Sequence, residues 1–294
     1  MIAMEYYSPK NSTELFKLLA EMDQPTFLAG GTDLLVRYYN KLDLLEKVVD
    51  LSKVKDFGGI KQEGDQIHIG ALTTHQEIED SVILEKILPA LQEAAAEIGS
   101  PQIRHRGTIG GNIANASPAA DLVPVLTAVD AKVELSGADV KRVVGLDDFL
   151  LGPGQTLLKE QEVLTDIFFS APQNDEVVVF QKLGKRRALS ISVVNLALLL
   201  KVNQENSEIV DIKIYLGSVG PKVLRARSVE ESLIGKKINL KLILEGAKQV
   251  ENDISPIDDI RSTGEYRSQV AQELFVRGMK EALARLEVDV DGLS

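Results

Sequence analysis

Cysteine is absent from the 294 residues, so the chain forms no disulfide, holds no thiolate zinc, offers no cysteine nucleophile and ligates no ordinary iron–sulfur cluster. Tryptophan is absent too, and aromatic residues make up 5% of the whole. Few stacking platforms are therefore on offer, and a planar ligand would be gripped mainly by backbone and aliphatic side chains. No apolar run reaches the roughly 18 to 20 residues that cross a bilayer, and Met1-Ile2-Ala3-Met4-Glu5 lacks a basic stretch followed by an apolar one. The expectation is a cytoplasmic protein that engages no membrane. Cations are the scarcer charge, 33 Lys and Arg against 44 Asp and Glu for a net −11. An acidic surface argues against nucleic-acid binding, which needs cations to neutralise phosphates.

What is present suits a globular enzyme subunit, with 44% hydrophobic and 26% charged residues in a chain long enough for two or three substructures with their own cores. Asn11 followed by Glu14 caps a helix whose apolar positions Leu15, Phe16, Leu18 and Leu19 repeat at helical spacing. Strands are expected at 26–29, 47–51 and 66–70, a capping box at Thr74 and Glu77, and helix from Leu84 to Ile98, restarted at Pro89 and ended by Gly99. A buried helix follows at 122–129, a strand pair around Gly137, and a surface loop at Gly152-Pro153-Gly154. Strands at 163–169, 177–182, 192–202 and 209–218 precede helices at 228–233, 240–250 and 266–286. The polar stretch 171–176 marks a boundary between an α/β half and an α+β half.

Two glycine-bearing loops about 80 residues apart stand out, Leu28-Ala29-Gly30-Gly31-Thr32-Asp33-Leu34-Leu35 and Thr108-Ile109-Gly110-Gly111-Asn112-Ile113. Paired glycines let the backbone take positive φ and bring N–H groups close to phosphate oxygens, with Thr32, Thr108 and Asn112 as added donors. Neither loop carries the Lys-Ser/Thr of a nucleoside-triphosphate loop or the Gly-x-Gly-x-x-Gly of a dinucleotide fingerprint. Each alone reads more readily as a tight turn, the default use of glycine.

The text around these glycines, with Glu162-Val163-Leu164-Thr165-Asp166-Ile167, Phe180-Gln181-Lys182-Leu183-Gly184-Lys185-Arg186 and Gly264-Glu265-Tyr266-Arg267, closely resembles the FAD-binding (medium) subunit of the molybdenum hydroxylases, the family of xanthine, carbon monoxide and nicotinate dehydrogenases. The resemblance spans nearly the whole chain. It implies an α+β fold: a two-subdomain FAD-binding fold of the vanillyl-alcohol-oxidase/PCMH type (1–173, divided near 53) followed by a C-terminal domain of antiparallel sheet and helices (174–294). It implies that Leu28, Ala29, Gly30, Gly31, Thr32, Asp33, Leu34 and Leu35 wrap the diphosphate and ribityl chain, that Thr108, Ile109, Gly110, Gly111 and Asn112 form the second diphosphate loop, that Asp121 holds the adenosine part, that Leu164 lies against the flavin, and that Lys182 stands near the ring, where its charge would stabilise reduced flavin. Thr32 stands where covalent relatives carry a flavin-linking histidine, which implies non-covalent FAD. Read from the residues alone, Asp121 equally caps the helix after it, Lys182 belongs to a solvated basic turn, and Leu164 is a core leucine.

The resemblance further implies a heterotrimer in which a large molybdopterin subunit oxidises the substrate, a small subunit with two [2Fe-2S] clusters relays electrons, and flavin on this chain passes them to NAD+ or another acceptor. No catalytic acid, base or nucleophile and no metal site is expected here. His68 and His75 carry little signal, whereas Arg104-His105-Arg106 either neutralises diphosphate, touches a partner or is an exposed turn. The alternative reading is a stand-alone nucleotide-binding or regulatory protein that kept the fold without redox partners.

Overall fold

A computed structural model describes residues 4–40, 45–186 and 189–288. Strand β1 (Glu5–Tyr7), helix α1 (Ser12–Ala20), β2 (Thr26–Leu28), α2 (Leu34–Tyr39) and β3 (Lys47–Asp50) form a parallel three-stranded sheet in the order β1-β3-β2. Asn11 caps α1 by accepting the Glu14 amide at 2.9 Å, and its Leu15 and Leu19 pack on Val49, Leu51 and Phe57. By contrast α2, which overlaps the first loop only at Leu34 and Leu35 and has no counterpart among the elements expected from sequence, buries none of its residues. At six residues it is too short to show helical periodicity.

A second unit begins with β4 (Ile60–Glu63) and β5 (Gln66–Gly70) and continues through α3 (His75–Glu79), α4 (Val82–Ile87), α5 (Pro89–Ala96), α6 (Pro101–Arg104), α7 (Ile109–Ala114) and α8 (Leu122–Ala128). Strands β6 (Lys132–Ser136) and β7 (Lys141–Gly145), α9 (Leu146–Phe149), the small pair β8 (Leu150–Gly152) and β9 (Gln155–Thr156), and β10 (Val163–Ser170) complete it. The antiparallel sheet runs β4-β5-β10-β6-β7. Ile67, Ile69, Val133, Leu135 and Ile167 alternate onto its inner face and meet Leu91, Leu122 and Leu126 in one core. The Thr74–Glu77 capping box forms in both directions, Pro89 takes the first turn of α5 where its missing N–H costs nothing, and every residue of α8 is buried.

The third unit is a four-stranded antiparallel sheet, β11 (Glu176–Gly184), β12 (Ser192–Asn203), β13 (Glu208–Gly217) and β14 (Leu224–Arg225), with α10 (Arg227–Leu233), α11 (Leu240–Gln249) and α12 (Gly264–Arg285). Leu196, Leu198 and Leu200 of β12 pack with Leu274, Phe275 and Met279 of α12. The intervening Ala197 and Leu199 join the core of the second unit. This sheet is therefore buried on both faces, which is why β12 reads as a continuous apolar run rather than an alternating one. The whole is the mixed α+β arrangement that the resemblance implies.

Candidate cofactor site

The first glycine loop leaves the carboxyl end of β2 and crosses to the second unit. A Cβ on Gly30 would stand 1.9 Å from the Arg106 carbonyl oxygen and 2.9 Å from the Gly107 Cα, so only glycine permits this approach. Gly31 takes φ +72° and lets Leu28 and Leu35 close over it. The amides of Gly30, Gly31, Thr32 and Asp33 donate to no described residue, and Asp33 does not cap α2 with its side chain. Four consecutive amides are thus left without an acceptor among the described residues, and such a run of free backbone donors can receive an anion.

The second glycine pair differs from its expected role. Residues 109–114 are a helix, not a loop, and the amides there are spent inside the protein: Ile109 on the Thr73 carbonyl at 2.9 Å, Gly110 on Ala71 at 2.8 Å and Asn112 on Thr108 at 2.9 Å, with Gly111 on the Thr108 hydroxyl at 3.1 Å. Neither glycine has positive φ. Gly110 is required for packing, since a Cβ would lie 2.7 Å from Ala71. Its neighbourhood offers side chains instead of amides, above all Asn112, whose Oδ1 is buried without a hydrogen-bond partner. Leu164, 7% exposed, lies beside this group, because the next residue's carbonyl accepts the Ala71 amide at 3.0 Å.

Asp121 and Lys182 are brought together rather than apart. Lys182 Nζ lies 2.7 Å from Asp121 Oδ2 and 2.9 Å from the Glu97 carbonyl, and both side chains are buried. Asp121 Oδ1 accepts from the Ser192 hydroxyl and, at 2.8 Å, from Asn195. It makes no side-chain cap on α8, and Lys182 is no solvated turn. Two roles at opposite ends of a dinucleotide cannot fall on one contact pair, and a lysine charge matched by its own carboxylate gives a smaller field than a lone one. The resemblance implies separate places for Asp121 and Lys182 along the cofactor, whereas the structure holds the two side chains in one contact pair.

The family model for the FAD-binding domain in molybdopterin dehydrogenase matches residues 2–172, and that for the CO dehydrogenase flavoprotein C-terminal domain matches residues 180–282. The chain belongs to the FAD-binding medium subunits of the molybdenum hydroxylases. It is 34% identical to the glyceraldehyde dehydrogenase medium chain of Sulfolobus acidocaldarius, over 94% of this chain and 97% of that one. It is 31% identical to the nicotinate dehydrogenase FAD-subunit of Eubacterium barkeri, over 96% and 97%. The carbon monoxide dehydrogenase structure from Hydrogenophaga pseudoflava superposes with a TM-score of 0.91 at 32% identity, covering 96% of this chain and 98% of that one.

The residues present fit an FAD-binding subunit. The open amides of Gly30 to Asp33 suit a diphosphate, and the orphaned Asn112 Oδ1 suits a hydroxyl donor such as those of a ribityl chain. Of the basic trio near the second glycine pair, Arg104 is occupied by Glu79 at 2.6 Å and His105 by the Pro101 carbonyl at 2.7 Å, while the Arg106 side chain stays exposed. His75, beneath Gly107, is held down to about 4 by burial, with the Arg104 charge adding to it, and its Nδ1 has no partner. His68 pairs with Asp166 at 2.6 Å and stacks on Phe168. Among the described residues no group of three or more His, Asp or Glu is placed to hold a metal, and no helix is long and apolar enough to cross a membrane. Sequence reading also missed Tyr6 and Asp50, whose side chains meet at the carboxyl edge of the parallel sheet with a hydroxyl–carboxylate distance of 2.5 Å.

Proposed function

We propose that this chain is the flavin relay of a cytoplasmic, three-subunit hydroxylase, taking electrons from a small partner with [2Fe-2S] clusters that is itself served by a large molybdopterin subunit, and passing them to NAD+ or another acceptor. The observation that carries the reading is the apposition of Gly30 on the Arg106–Gly107 backbone with four open amides beside it. In this reading 1–173 (subdomains 1–53 and 54–173) is the cofactor-binding domain and 174–294 closes over it. Leu28 to Leu35 wrap the diphosphate, Thr108 and Asn112 present side-chain oxygens, Leu164 lines the flavin, and the Asp121–Lys182 pair borders the ring end as a neutral unit. Bound non-covalently there, the flavin supplies the redox chemistry. The protein binds it, orients it and excludes water, and the absence of cysteine leaves the iron–sulfur clusters to a partner.

The test is transfer itself. Mixing the FAD-loaded chain with its reduced small partner should bleach the flavin absorbance within seconds, and added acceptor should restore it. A chain that binds FAD but never accepts electrons from a co-expressed partner would favour the stand-alone regulatory reading.

A further inference from the structure

Asp50 sits at a position that parallel-sheet topology marks for a ligand. The sheet β1-β3-β2 is open and parallel, the glycine loop springs from the carboxyl end of β2, and Asp50 ends the next strand, β3, in register with Leu28. It lies 20 residues after Gly30. In open parallel sheets ligands bind outside the carboxyl ends of the strands, and a short carboxylate there is a suitable acceptor for ribose hydroxyls.

The carboxylate is prepared for that task. Its Oδ2 accepts from the Tyr6 hydroxyl at 2.5 Å and its Oδ1 from the Ser52 amide at 2.9 Å. A carboxylate has roughly four acceptor sites, so acceptor capacity remains. Burial works to raise the carboxyl, but the Tyr6 hydroxyl and Ser52 outweigh it and keep it below its usual range, hence ionised. Tyr6 is itself 53% exposed while its hydroxyl is held by Asp50, and an exposed ring anchored in this way can serve as a stacking platform. Asp121, by contrast, already accepts from three side chains, those of Lys182, Ser192 and Asn195.

Resting on the FAD reading above, we propose that Tyr6 and Asp50 form the adenosine clamp of this chain, Asp50 accepting the ribose hydroxyls and the Tyr6 ring carrying the adenine. The pair then decides that the chain takes FAD rather than FMN, which lacks adenosine. It acts through binding alone and has no part in electron transfer.

The experiment compares apoprotein affinities for FAD and FMN by quenching of flavin fluorescence, in the full chain and in Asp50→Asn and Tyr6→Leu. Wild type should prefer FAD, and each variant should lose about tenfold of that preference, the size of one charge-assisted contact, with FMN affinity unchanged. Tyr6→Phe keeps the ring and should retain most of the preference. Variants that keep the wild-type preference, or that weaken FMN as much as FAD, would overturn the clamp. Should Asp50→Asn fail to fold, Tyr6→Leu carries the test, since that ring is half exposed. A wild-type chain that takes up neither flavin would instead defeat the FAD reading itself, an outcome distinct from failure of the clamp.

Discussion

Lys182 of β11 reaches across to Asp121 at the start of α8 and forms a buried ion pair at 2.7 Å, fastening the third unit to the second. The same short segment is held again where the Ser218 amide donates to the Pro118 carbonyl at 2.7 Å. A buried charge loses hydration that only its partner restores. Lys182→Met should therefore destabilise the chain by about 3 kcal/mol by leaving Asp121 uncompensated, and adding Asp121→Asn should recover part of the loss. Urea unfolding of the two single variants and the double variant measures the coupling; additive losses would show that the pair does not act as a unit.

Neighbouring glycines should respond differently to one methyl group. Gly110→Ala places carbon 2.7 Å from both the Ala71 Cβ and its carbonyl oxygen, whereas Gly111→Ala meets only the Thr108 hydroxyl at 3.0 Å. The first should cost about 1–3 kcal/mol as overpacking, and the second should be near neutral because alanine favours a helix. Thermal unfolding of both variants checks the contrast.

His75 gives the protein an acid limit. Its ordinary value is 6.5 and burial holds it to about 4 in the folded state, so the unfolded chain binds the proton more readily. Stability from the neutral ring is complete above pH 6.5 and is lost as pH falls from there to about 4, a total of about 3 kcal/mol. His75→Phe should flatten the stability profile in that window by about one proton. An unchanged slope between pH 6.5 and 4 would remove His75 from the account.

Arg267 is 2% exposed and donates to the Val193 carbonyl at 2.6 Å, to Ser218 at 3.0 Å and to the Asp259 carboxylate at 2.7 Å. Burial works against the charge on Asp259, but the Arg261 and Ser262 amides and the two guanidinium groups keep its carboxyl well below the usual range. A lysine cannot reproduce this fork. Arg267→Lys should lose about 3 kcal/mol or more, measured by urea unfolding, and a loss below 1 kcal/mol would show that its partners rearrange freely.

Much of the fold was legible because local signals agreed with it: the Asn11 cap, the Thr74 box and the alternation in β5 each carry their own physical cause. The short elements were not. β1, β4 and α2 span three to six residues, less than a period can declare itself in, and Gly110-Gly111 hid a helical turn behind residues that favour loops. Within the site, the sequence located the glycine pairs but not what their amides do, because that depends on Ala71 and Thr73, more than 30 positions away. The Asp121–Lys182 and Tyr6–Asp50 contacts link residues 61 and 44 positions apart, and no spacing rule reports a pairing made by tertiary packing.

The most direct test of the whole account is the visible spectrum of the purified chain, followed by acid precipitation and identification of the released chromophore. The account predicts flavin bands and about one FAD per chain, all of it released by acid because the link is non-covalent. A colourless protein that also fails to take up added FAD would contradict it.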